Sequence, residues 1–120
     1  MEQITRAAVN GEARGRAVVR VGVDLAKRVI QVHAVDGTGA VVCRRALRRE
    51  LFIAWCARLP AGCVVAMEIS SGAHHWSRQL QALGLVPRLM SAQLVAPYRS
   101  QGATGKNDAN DAAAICEAAS

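Results

Sequence analysis

The sequence predicts an α/β fold built on one mixed five-stranded sheet with strand order 3-2-1-4-5. Three observations carry that prediction. Segments rich in β-branched residues lie close together near the N-terminus, separated by short turns. The apolar period then changes from strand-like to helical. Finally, Cys63 to Met67 is a short continuous apolar run, the mark of a strand buried on both faces. A chain of 120 residues has room for one domain with a single core.

Residues 1–17 read as a flexible basic tail, because Glu2, Arg6, Glu12, Arg14 and Arg16 are scattered among alanines with no apolar period. The domain then runs over 18–120. Ala17 to Val23 reads as the first strand and leads into Asp24. Arg28 to Val35 is the second, with Ile30, Val32 and Ala34 on one face. Asp36-Gly37-Thr38-Gly39 is a turn, and Ala40 to Arg45 the third strand, completing an antiparallel meander.

Leu47, Leu51, Phe52, Trp55 and Leu59 recur at helical spacing and predict a helix that Pro60-Ala61-Gly62 stops. The fourth strand, Cys63 to Met67, ends at Glu68. Ser70-Ser71-Gly72 is a turn suited to capping a helix whose apolar face is Ala73, Trp76, Leu80 and Leu83, and Gly84 ends that helix. Leu85 to Met90 is the fifth strand; Pro87 has no N–H to give to a ladder, so it belongs at a sheet edge. A short helical stretch covers Ala92 to Arg99, Gln101 to Lys106 is a loop, and a last helix begins near Asp108. A meander followed by crossover connections is compatible with few arrangements. The simplest has the first strand in the centre and the fourth parallel beside it, which is the RNase H-like order.

Lys and Arg outnumber Asp and Glu by 15 to 9, a formal charge of +6. Such a surface suits phosphates, whose neutralisation releases condensed counterions. Cys43, Cys56, Cys63 and Cys116 form no C-x-x-C pair and have no histidine at zinc spacing, so they read as reduced, mostly buried thiols. No apolar run is long enough to span a bilayer and no targeting segment is visible; the expected location is the cytoplasm.

If the first and fourth strands are parallel neighbours, Asp24 and Glu68 stand together at their carboxyl ends, where ligands of α/β sheets gather. Asp108 and Asp111, spaced i and i+3, share one helix face. Docking that helix across the sheet edge would assemble four carboxylates. Such a cluster stays ionised only beside cations, and hard oxygen ligands suit Mg²⁺ or Mn²⁺, two ions being the arrangement suited to phosphoryl transfer. Each acid also has a structural alternative: Asp24 as a turn residue, Asp108 and Asp111 as acids complementing a helix N-terminus.

Val21 to Lys27 (VGVDLAK), Met67 to Trp76 (MEISSGAHHW) and Lys106 to Ala112 (KNDANDA) together resemble the DEDD-type insertion-sequence transposases, the family that includes the Piv DNA invertase. The similarity runs from about Val19 to the C-terminus. The family's four acids fall on Asp24, Glu68, Asp108 and Asp111. The resemblance implies a RuvC-like fold, Mg²⁺-dependent DNA strand cleavage and exchange, homo-oligomeric assembly of the full-length form, and a structured bridge RNA as a second nucleic-acid partner. Ile69-Ser70 departs from the small residue and Cys or Thr expected after the glutamate. Family members are roughly two to three times longer, more than one domain by the usual size of domains. They carry a C-terminal catalytic serine that this chain lacks, so the 120 residues alone are expected not to recombine DNA.

Lys27, Arg44, Arg45 and Lys106 are candidate nucleic-acid contacts, with Arg48 and Arg49 extending the basic cluster. His74 and His75 are packing or solvated residues before they are ligands, and Trp55 and Trp76 are core residues before they are base-stacking platforms. Two other functions remain open to the residues: an RNase H-fold nuclease acting on branched DNA, and a non-catalytic nucleic-acid-binding fragment. The last helix, with no partner in view to pin it, is expected to dock loosely.

Overall fold

The alternation of apolar and polar residues in Arg20–Leu25 produces the strand on which everything else is assembled, β1. In the computed structural model, which describes residues 17–26, 28–99 and 108–120 (of 108–110 the backbone only), β1 is the central strand of a five-stranded sheet. Val29–Val35 (β2) and Val41–Arg48 (β3) extend it antiparallel on one side; Val64–Glu68 (β4) and Val86–Met90 (β5) extend it parallel on the other. The order is β3-β2-β1-β4-β5, as the sequence predicts. β5 is an edge strand, in keeping with Pro87. The expected tail falls almost entirely on residues 1–16, outside the described residues.

The strand period sorts the side chains onto two faces. Val21, Val23, Ile30, Val32, Val65 and Met67 face one way and bury against Phe52–Cys56 (α1) and Ala73–Ala82 (α2). Phe52 and Trp76 meet there edge to face, with centroids 5.1 Å apart. Leu80 accepts from Leu85 N–H and Gln81 from Gly84 N–H, a Schellman closure that needs the left-handed Gly84 (φ +82°). Both tryptophans and three of the four cysteines are buried, and all four thiols are free. Burial pushes the Cys63 thiol up to about 12.

Two local expectations are corrected. The helix expected from Leu47 is shorter and starts later. β3 pairs with β2 over its whole length as far as Val29 opposite Arg48, so Leu47 is a buried strand residue opposite Ile30. A 3-10 turn, Arg49–Leu51, follows before α1, and Leu51 is exposed. Ladder pairing here overrides a helical spacing of leucines. The serines before α2 do not cap it through their side chains: Gly72 is the N-cap residue, and Ala73 N–H donates to the Ser70 carbonyl.

The opposite face of the sheet is covered by one short helix, Ala92–Val95 (α3), and by the last one, Asp108–Ala118 (α4). Far from docking loosely, α4 is seated on β1. Ile115 is fully buried with Ala66, Met90, Val95, Ala114 and Ala119, a burial that contributes about 1.5–3 kcal/mol for the isoleucine alone. The seat is Gly22. A Cβ there would stand 2.2 Å from the Ala112 carbonyl oxygen and 2.5 Å from the Cys116 nitrogen. Arg20 Nε donates to the Cys116 carbonyl (2.8 Å) and Arg88 Nη1 to that of Ala119 (2.9 Å), satisfying carbonyls left open at the helix C-terminus. Arg20 leads β1 and meets the end of α4, so α4 runs antiparallel to β1 and its N-terminus lies toward the carboxyl ends of β1 and β4.

Gly22→Ala should lower stability by about 3 kcal/mol or more in urea unfolding, because backbone on both sides must move. Gly37→Ala, with open space around it, should be near neutral. His33, opposite Gly22 on β2, is buried with its Nδ1 unpartnered among the described residues. Burial first, then Arg44 and Arg20, hold its pKa below the ordinary 6.5 against the opposing pull of Glu117. The unfolded chain therefore binds this proton more readily, and stability should fall as pH drops below about 6.5. Thermal unfolding between pH 7.5 and 5 should show this loss in the wild type and much less of it in His33→Gln.

Candidate functional site

The carboxyl edge of the two central parallel strands is where the acidic residues meet. Val23 and Met67 are partners in the parallel register, so Asp24 and Glu68 occupy the next position on neighbouring strands, about 5 Å apart along the ladder direction. Both are half-buried, and both follow residues that face the α4 side, Gly22 and Ala66. Asp24 stands within β1 rather than after it, opposite Gln31 of β2.

α4 brings the third acid. Ala112 packs over Gly22, and Asp111 next to it is half-buried. What joins Asp111 to Glu68 is a residue that the motifs did not single out. Arg99, just beyond a 3-10 turn at Ala96–Tyr98, donates from Nη2 to Glu68 Oε1 (3.0 Å) and from Nε to Asp111 Oδ1 (3.1 Å). One guanidinium thus bridges a strand-end carboxylate and a helix carboxylate, with all three side chains about a quarter exposed. Partial burial alone would lower the Arg99 pKa; the charge and hydrogen bonds of Glu68 and Asp111 more than offset it and hold it above its usual value.

Among the described residues, no three His, Cys, Asp or Glu side chains are close enough together to hold a metal ion. Asp108 begins α4, three residues before Asp111; its backbone is helical and its side chain lies outside the description. Lys27 and Lys106 also fall outside the described residues. Arg44 and Arg45 are exposed but do not form one patch. They alternate on the edge strand β3, Arg44 opposite His33 on the α4 side and Arg45 opposite Val32 on the other, where it shares a hollow with Arg58. His74 and His75 are both exposed, His75 within hydrogen-bonding distance of Gln79 (2.9 Å) and against the edge of Trp76.

A second feature sits at the same edge on the α1/α2 side. Leu25, Ala26, Arg49, Ser70, Ser71 and Gly72 line an open cleft of about 340 Å³. The acids and this cleft are separated by the thickness of the sheet edge, since Leu25 packs toward the α1/α2 core while Asp24 follows the α4 side.

Arg99 was hidden because its partners are 31 and 12 residues away, and only the fold puts them together. Gly22 carried a readable signal, since a glycine inside a strand often marks a close backbone approach.

No protein-family model matches the chain. It is 50% identical over 101 residues, 84% of its length, to the "Probable family 20 transposase" of Pseudomonas aeruginosa, covering 29% of that protein. It is 44% identical over 100 residues to the "Transposase for insertion sequence element IS1111A" of Coxiella burnetii, covering 83% of this chain and 26% of the relative. A third, the "Transposase for insertion sequence element IS1328" of Yersinia enterocolitica, is 37% identical over 103 residues, 86% of this chain and 30% of the relative. The chain therefore spans less than a third of the length of the curated relatives it matches.

Removing the guanidinium leaves two neighbouring carboxylates without their shared donor. Arg99→Ala should cost about 1–2 kcal/mol at pH 7, allowing for partial exposure. Arg99→Lys, a point charge that cannot make both contacts in a fixed fork, should recover only part. A double-mutant cycle of Arg99→Ala with Asp111→Ala in urea unfolding measures the coupling, and additive effects would show that the bridge contributes nothing.

Proposed function

We propose that this chain is the catalytic RNase H-like, RuvC-type region of a DNA transposase of an insertion sequence, acting in metal-dependent DNA strand cleavage and exchange. The observation that carries the reading is the convergence on one sheet edge. Asp24 and Glu68 are in neighbouring register, and Asp111 is drawn to Glu68 around a shared cation, in a chain half identical to a named transposase over 101 residues. Asp24, Glu68 and Asp111 are three of the four acids in the motifs quoted above.

The donor set fits Mg²⁺ or Mn²⁺ in kind. It is made of carboxylate oxygens, and two of them are already arranged to surround positive charge. Asp24, Glu68 and Asp111, with Asp108 from the first turn of α4, would hold the ions, in a two-ion arrangement. When bound, such ions activate a nucleophile and stabilise the leaving oxygen of a phosphodiester. Arg99 stands in for part of that charge. It keeps Glu68 and Asp111 from repelling one another, and its guanidinium has to turn away before both carboxylates can face another cation. β1, β4 and the Gly22 seat of α4 fix the backbone from which these acids project, so the rearrangement the site requires is one of side chains, Arg99 first.

The substrate is DNA, the element ends and target. The resemblance adds a structured guide RNA and self-association of the full-length protein to the same proposal. The helices of the described residues include none long and apolar enough to cross a membrane.

Calorimetric titration with Mn²⁺ and Mg²⁺ tests the site. Asp24→Asn, Glu68→Gln and Asp111→Asn should each weaken binding about tenfold or more, as removal of metal-supporting groups does elsewhere. Arg99→Gln should tighten it, because the competing cation is gone. Equal binding by all five proteins would remove the metal site, and with it the catalytic reading.

A further inference from the structure

We propose that the cleft on the α1/α2 side of the sheet edge is a binding site for a phosphate group of a nucleic-acid strand. It is separate from the carboxylate cluster and has Arg49 as its main ligand-binding residue. The proposal rests on the reading above only for the identity of the strand; the anion site stands on its own geometry.

Among the described residues the cleft is lined by Leu25, Ala26, Arg49, Ser70, Ser71 and Gly72, three of them with side-chain donors and none with a carboxylate. Arg49 is held at two points. Its Nη1 donates to the Ala26 carbonyl at 3.2 Å, and its guanidinium carbon lies 5.4 Å from the centroid of the Trp76 ring. A guanidinium has five N–H donors, so one hydrogen bond and one stacked face leave most of its fork available. Holding the group in advance removes part of the rotamer entropy that a free arginine loses on capturing an anion.

Trp76 supplies the independent sign that a ligand belongs here. The residue is 8% exposed, and its Nε1–H is buried without a hydrogen-bond partner among the described residues. Native structures rarely leave such a donor unmatched. That nitrogen and Arg49 Nη2 are each 3.8 Å from the point where a Gly72 Cβ would stand, so two donors lie together behind the glycine that floors the cleft. Ser70 and Ser71 add hydroxyls at the rim. Donors converging in an open cleft whose described lining has no acid select an anion, and a guanidinium fork suits the paired oxygens of a phosphate. At about 340 Å³ the cleft has room for a phosphodiester with its sugar as well as for a free phosphate ion.

Position makes the strand the favoured source. Ala26 lies two residues past Asp24, and Ser70 two past Glu68, so the cleft begins where the acids end. A strand crossing the carboxyl edge would place one phosphate at the acids and a neighbouring one at Arg49, fixing its register without reading its sequence.

The test uses the 120-residue chain in metal-free buffer with chelator, which separates it from the carboxylate site. Indole N–H resonances of the two tryptophans are followed by NMR during titration with inorganic phosphate and, separately, with a short oligothymidine. Oligonucleotide affinity is measured by fluorescence anisotropy at several salt concentrations. The Trp76 indole signal should shift with both ligands. Arg49→Ala should weaken oligonucleotide binding about tenfold and lower the salt slope by about one. Arg49→Lys and Ser71→Ala, milder changes that guard against misfolding, should have smaller losses in the same direction. Arg58→Ala removes equal charge from the other hollow and should leave the indole shift and the affinity close to wild type. An unmoved Trp76 signal, or equal losses in Arg49→Ala and Arg58→Ala, overturns the proposal. A shift with phosphate but none with oligonucleotide overturns the assignment to a strand. Metal binding left unchanged by Asp24→Asn, with the indole shift intact, would count against the catalytic reading alone.

Discussion

The close approach of α4 to β1 at Gly22 is the constraint on which the rest of this molecule depends. Ala112 and Cys116 present backbone atoms where any side chain at position 22 would have to stand. Without that contact the α4 face of the sheet loses its main cover, and Asp111 has no reason to be near Glu68. A single hydrogen in place of a methyl group thus links the packing of the second core to the assembly of the acidic edge. The helix is long enough to bury Ile115 under one turn while offering Asp111 from the turn before it.

Arginines complete what the glycine permits. Arg20 and Arg88 hold carbonyls at the C-terminal end of α4, and Arg99 holds Asp111 near its other end. Planar guanidinium groups suit this work because each can direct donors along fixed lines to carbonyl or carboxylate oxygens. Arg20, Arg88 and Arg99 are thus engaged within the structure, and net charge alone overstates the surface left for a polyanion. Arg99 also sets up a conflict. The contacts that stabilise the acids at rest are the contacts that a divalent cation would have to replace, so in the proposed metal site stability and cation binding would compete at the same oxygens.

The strands were legible because their chemistry is local. Alternation placed Ile30, Val32 and Ala34 on the buried face of β2, the apolar run at Cys63 to Met67 marked a strand covered on both sides, and Pro87 marked an edge. The helix after β3 was misread because Leu47 and Phe52 serve two different elements whose buried faces happen to fall at helical spacing. Two carboxylates of the site, Asp24 and Glu68, followed from strand ends and topology. The basic pair Arg44 and Arg45 looked like a patch in sequence, yet strand alternation sends them to opposite faces.

By itself the sequence determined the element types, the order of the sheet and the strand-end positions of the first two acids, since periodicity and turn chemistry act over a few residues. Tertiary structure alone decided that α4 is seated against Gly22, that Arg99 joins Glu68 to Asp111, and that Arg49 and the Trp76 indole converge beside Gly72. The Arg99 contacts span 12 and 31 positions, and the geometry of all of them depends on how two faces of one sheet are covered, which no local pattern encodes.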